Sequence, residues 1–129
     1  MKIYYGGAEQ RTWTTFLHEN GVQTVSLSWY GLKRRRDPRG YRIADEFPEG
    51  MKVYLDPGTF SINKREDVTQ DEAYEMAQDY MDFVDQNIDA IEFAGEFDAL
   101  VLGRPLLVDL RHQYWENLPG EKWMAVWHS

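Results

Sequence analysis

Apolar and polar positions repeat with two different periods along this chain, and the periods take turns. Lys2 to Tyr5 is short and β-prone and runs into Gly6-Gly7, which predicts a strand ending in a turn. Trp13, Phe16 and Leu17 recur at helical spacing, with Gly21 placed as a C-terminal cap, predicting a helix over about 11–20. Thr24 to Trp29 alternates and reads as a second strand. Gly31 to Gly50 is polar and broken by Pro38, Gly40 and Pro48. It reads as a long loop with a short helix near Ile43-Ala44-Asp45-Glu46, and long loops in compact domains are often functional.

Met51 to Leu55 is a third strand, stopped by Asp56-Pro57-Gly58. Thr69-Gln70-Asp71-Glu72 is a capping box, in which the Thr69 hydroxyl accepts from the backbone N–H near Glu72. Ala73, Met76, Ala77, Tyr80, Phe83 and Val84 then form one apolar stripe, predicting a helix over about 70–87. Ala90 to Phe97 is a fourth strand, with Gly95 marking a bulge or a close backbone approach. Pro105 suits the first turn of another helix. Leu107, Leu110, Tyr114 and Leu118 keep its spacing, and Pro119-Gly120 ends it. Lys122 to Trp127 is a fifth strand.

Strands that alternate with helices imply a mainly parallel sheet with right-handed crossovers. The expected fold is therefore α/β, a single domain over 1–129, and a partial (β/α) TIM-type barrel of about five strands. An open sheet with helices on both faces is the alternative. In either case ligands bind beyond the carboxyl ends of the strands.

Composition narrows the chemistry. With 129 residues, 43% of them hydrophobic and 15% aromatic, the chain has the material for one well-packed core. It has no cysteine, which excludes disulfides, thiolate zinc sites and cysteine nucleophiles and suits a reducing cytoplasm. No apolar run approaches the about 18 residues of a membrane span, and Met1 to Gly7 lacks the apolar stretch of a signal peptide. A net charge of -8 argues against a broadly basic nucleic-acid surface. The local exception is Lys33-Arg34-Arg35-Arg36, with Arg39 and Arg42 close behind. It is either a solvated charged loop or a phosphate-contacting loop over 33–42.

Two expected strands deliver an acid at or just past their carboxyl end, Asp56 on the third and Asp98 on the fourth, and the fifth delivers His128. The second ends in Trp29-Tyr30, aromatic rings suited to stacking on a flat ligand. Each has a plainer reading: Asp is a common turn former, and a histidine near a terminus is often just solvated. If the third and fourth strands are neighbours, the two carboxyls lie roughly 5–10 Å apart, which overlaps the paired-carboxylate geometry of glycosyl chemistry. His18, His112 and His128 fall on different elements without close-spaced ligand partners, so no metal site is expected. No phosphate-binding glycine loop or dinucleotide fingerprint is present, so no cofactor is expected either. Trp115, Trp123 and Trp127 read as core or interface.

Val53-Tyr54-Leu55-Asp56-Pro57-Gly58-Thr59-Phe60-Ser61 resembles the strand ending Asp-Ser-Gly-Gly/Ala-Phe of the tRNA-guanine transglycosylase superfamily, most of all its divergent phage-type relatives linked to deazaguanine. Asp56, Gly58 and Phe60 match, while Pro57 stands for the serine and Thr59 for a small residue. Phe97-Asp98-Ala99-Leu100 and Val126-Trp127-His128 resemble later strand endings of that family. The resemblance implies base exchange of the queuine or deazaguanine type, with Asp56 as a proton-transfer carboxylate and Asp98 as a base reader. Gly58, Phe60, Trp29, Tyr30 and His128 would line the substrate, and Lys33 to Arg36 would meet nucleic acid. The family's zinc cysteines are absent, and its nucleophilic aspartate sits on a later strand than these. The chain is therefore expected to be inactive alone and to work as a homo-oligomer or with a complementary chain. The alternative is a non-catalytic binding or assembly module of the same descent.

Overall fold

In β1 (Thr24–Ser28) and β2 (Lys52–Asp56) every second side chain is buried: Val25 and Leu27 in one, Val53 and Leu55 in the other. This period-two burial gives each strand a core-facing side and an open side. β3 (Ile91–Gly95) buries Ile91 and Ala94 on the same side. The computed structural model describes residues 3–125, apart from the side chain of Trp115. Within it the sheet has four strands, all parallel, in the order β1-β2-β3-β4, the last being Trp123–Met124.

The α/β class and the parallel sheet are as expected; among the described residues the sheet has four strands, and a five-strand barrel is not seen. The expected first strand contributes one bridge, in which Tyr5 pairs parallel with Val25 on the outer side of β1. The expected fifth strand is paired only at Trp123–Met124, and its continuation through Val126 and Trp127 lies outside the described residues. The second strand stops at Ser28 because its hydroxyl accepts from the Gly31 backbone N–H at 3.0 Å. That cap turns Trp29 and Tyr30 into the first residues of α2 (Trp29–Lys33) rather than a strand end.

The helices fill the crossovers. α1 is Arg11–Glu19 and α3 is Ile43–Glu46, both near their expected positions. Of the α1 stripe only Leu17 is buried. Trp13 and Phe16 are exposed and stack on each other at 5.5 Å. α4 (Thr59–Asn63) lies within the stretch left unassigned by the sequence. α5 (Gln70–Gln86) begins where its capping box predicts, with Thr69 accepting from Glu72 N–H at 3.1 Å, and all six stripe residues are buried. α6 (Gly103–Asn117) places Leu110 and Tyr114 in the core, where Tyr114 stacks on Trp123 at 4.6 Å. Among the described residues no helix is long and apolar enough to cross a membrane.

The core holds its tyrosines neutral. Burial, then Glu46, pushes Tyr41 up to about 12, and burial raises Tyr80 well above its ordinary value. Unfolded tyrosines ionise near 10. The stabilisation is thus complete below pH 10 and is lost as pH rises toward 12, where the unfolded chain ionises first. A urea midpoint flat to about pH 9.5 and falling by pH 11.5 is expected, as the unfolded phenols ionise before Tyr41 and Tyr80 do. A midpoint unchanged through pH 11.5 would show these phenols to be solvated.

Candidate functional site at the carboxyl ends of the strands

The pairing register sets Ser28, the last residue of β1, beside Asp56, the last of β2. Both point to the open side of the sheet, as does Tyr54, two residues before Asp56. The chain then turns sharply. Asp56 Oδ1 accepts from the Gly58 N–H at 2.9 Å, and Tyr30 N–H donates to Pro57 O at 3.2 Å. Gly58 has φ 81° and is pressed against α2: a Cβ there would lie 2.6 Å from Tyr30 Cβ and 2.8 Å from Ser28 Oγ. The turn thus ties the ends of β1 and β2 together and fixes the Asp56 carboxylate.

Asp98 reaches the same rim from β3. It lies three residues beyond Gly95, the end of that strand, is 9% exposed, and accepts a hydrogen bond from the Thr59 hydroxyl of α4. Asn63 Oδ1 accepts from the Leu100 N–H at 2.8 Å, so both ends of α4 are pinned to the segment after β3. Thr59 stands where the resemblance has a small residue. Its hydroxyl orients Asp98, a role invisible in the motif.

Tyr54 links the two acids. Its pKa is raised by burial first, then by the nearby charges of Asp56 and Asp98. Gly95 is the close approach that the sequence marked, for a Cβ there would meet the Tyr54 hydroxyl at 2.9 Å. The bulge is elsewhere: the register of β2 against β3 shifts between Val53 and Tyr54, so that Ile91 and Phe93 are partnered and Glu92 is the extra residue. Behind the rim, the Tyr80 hydroxyl donates to Gly95 O at 2.6 Å and stiffens the junction of β2 and β3. Two carboxylates, a phenol and a hydroxyl on one rim suffice for proton transfer and for reading N–H groups on a ligand edge.

The other expected residues divide. Phe60 is 73% exposed on α4, with Lys64 Nζ 4.2 Å from its ring centroid. Tyr30 is mostly buried, its hydroxyl accepts from Arg65 at 2.9 Å, and its ring faces Arg34 at 5.9 Å. Trp29 corrects the expectation of a stacking wall. It is fully buried, edge-on to Tyr80 and Phe97, because it continues the core-facing parity of Val25 and Leu27. His128 lies outside the described residues. Lys33 to Arg36 are all exposed. Arg36 sits 3.8 Å from Glu46 and over the Tyr41 ring, while Arg39 is held by Asp37, whose carboxyl it lowers to about 2.

A cleft of about 500 Å³ lies along the outer face of α5, lined by Lys33, Asp37, Arg39, Glu75 and Asp79, and neither Asp56 nor Asp98 borders it. Among the described residues no group of three or more His, Asp or Glu is arranged to hold a metal ion. Tyr54 and Thr59 were missed from the sequence. The parity of the strand would have found Tyr54, since it shares a face with Asp56. Comparison with protein-family models, with curated proteins and with solved structures found no match for this chain.

Proposed function

We propose that this chain forms the base-binding part of a nucleic-acid base transglycosylase of the queuine or deazaguanine exchange type. The observation that carries the reading is that Asp56, ending β2 with its Oδ1 accepting from the Gly58 N–H, and Asp98, following β3 and accepting from the Thr59 hydroxyl, meet at the start of α4. Asp98, oriented by Thr59, accepts from the N–H edge of a guanine-like base. Asp56 is the proton-transfer carboxylate, and exposed Phe60 offers a ring to the base. The reading assigns no nucleophile to the described residues. A partial (β/α) barrel fits the sequential, all-parallel strand order, and the sheet is completed by a second copy or a complementary chain.

Binding, rather than turnover, tests this. Titration calorimetry with 7-deazaguanine and with adenine is expected to show binding of the first only. Asp98→Asn should weaken it about 10- to 100-fold, the size of one charge-assisted hydrogen bond, with the melt unchanged. Equal binding of adenine, or an unaffected Asp98→Asn variant, would sink the assignment. The second reading, a non-catalytic assembly module, is favoured by β4, which ends the described sheet with Met124 43% exposed. A well-folded chain that binds no base in that titration is what it expects.

A further inference from the structure

The cleft along the outer face of α5, about 500 Å³ in volume, has the size of a small-molecule site and stands apart from Asp56 and Asp98. Its two walls carry opposite chemistry. On the α5 side are Glu75, Asp79 and Asp82, whose spacing puts them on one helix face. All three are exposed, and none is in an ion pair among the described residues. On the α2 side are Trp29 and Lys33, one helical turn apart. Lys33 brings an ammonium group, and the Trp29 indole N–H is buried without an acceptor among the described residues. A buried N–H left unsatisfied costs free energy that a bound acceptor recovers. Arg39, which also lines the cleft, is clamped by Asp37 at 2.8 Å. That pair neutralises itself and leaves the acids of α5 uncompensated.

We propose that this cleft binds a small free amino acid with a cationic side chain, of the lysine or arginine kind. The two walls dictate the two ends of the ligand. The carboxylates of α5 call for a cation, and an organic one, since among the described residues no group of three or more acids is arranged to hold a metal ion. The donors of α2 call for an anionic oxygen, to which Lys33 offers a charge and Trp29 a hydrogen bond. A diamine satisfies only the first wall and a dicarboxylate only the second. Trp29 serves both core and cleft: its ring packs on Tyr80 and Phe97, and the same residue lines the opening. The site shares no residue with the base-binding rim, so the two readings stand or fall separately.

The test is titration calorimetry at low salt with L-lysine and L-arginine, against cadaverine, which is lysine without its carboxylate, and L-glutamate. Saturable binding of a basic amino acid is expected, with cadaverine at least about 10-fold weaker and glutamate not bound. Trp29→Phe, which keeps a ring in the core, should weaken the amino acid about 10-fold by removing the N–H donor. Asp79→Asn and Asp82→Asn are exposed changes that leave the fold intact, and each should weaken it about 3- to 10-fold. Glu19→Gln, an equal charge change on α1 away from the cleft, and Asp98→Asn should have no effect. Four outcomes overturn the site: no binding of either basic amino acid at millimolar concentration, cadaverine binding as tightly as lysine, a Glu19→Gln effect equal to that of Asp79→Asn, or tighter binding of Nα-acetyl-lysinamide than of lysine. The last would mark a lysine within a protein segment as the occupant.

Discussion

Gly58→Ala is expected to cost this protein about 3–5 kcal/mol, whereas Gly40→Ala, at the same backbone angle, costs only about 1 kcal/mol. Both glycines have φ 81°. A side chain in that left-handed region costs roughly 1 kcal/mol or slightly more wherever it occurs. At Gly40 nothing lies within 4 Å of the added Cβ, so that cost stands alone. At Gly58 the Cβ would sit 2.6 Å from Tyr30 Cβ, which is fixed to its backbone and cannot swing aside. The two segments are also tied by the Tyr30 N–H to Pro57 O bond at 3.2 Å, so separating them breaks that bond. The Gly58 N–H holds Asp56 Oδ1 at 2.9 Å, and any shift of the turn also misaims the carboxylate. Paired urea titrations decide it: equal losses in the two variants would show that α2 and the turn are not in contact.

The same turn shows what the sequence makes legible. Asp56-Pro57-Gly58 stops a strand by local chemistry alone, and the capping box at Thr69 starts a helix by local chemistry, so both were readable. α4 was not: its five residues are too few to show a period, and its N-terminus has no side-chain cap. The contact between Gly58 and Tyr30 joins residues 28 positions apart and leaves no mark on either segment. The same holds for Thr59 and Asp98. The candidate acids were found because they follow strands, while the groups that orient them come from other elements. Five sheet positions were expected because Lys2–Tyr5 is β-prone; among the described residues Tyr5 bridges to Val25 and is bonded to Thr24 and Ser26 without forming a named strand. Local propensity does not say how far two strands overlap.

Trp29→Ala is expected to cost about 3–5 kcal/mol, and Trp29→Phe less than about 1.5 kcal/mol. Strand parity explains the first value. Val25 and Leu27 face the core, so the next residue of that parity does too, and α2 begins without breaking the pattern. Trp29 is 0% exposed, with Tyr80 and Phe97 edge-on at 5.7 and 6.2 Å. Removing the indole opens a cavity under α5 that the rigid sheet cannot close. The milder effect of phenylalanine has a separate cause. Trp29 Nε1 is buried without a hydrogen-bond partner among the described residues, a condition that costs about 1–3 kcal/mol. Phenylalanine removes that penalty while keeping most of the ring, so its lost volume is largely offset. Urea unfolding followed by far-UV circular dichroism separates the outcomes. If Trp29→Phe costs as much as Trp29→Ala, the indole N–H is engaged and the offset is absent. If Trp29→Ala leaves stability intact but abolishes base binding, Trp29 is a ligand wall and the core placement drawn from its parity is wrong.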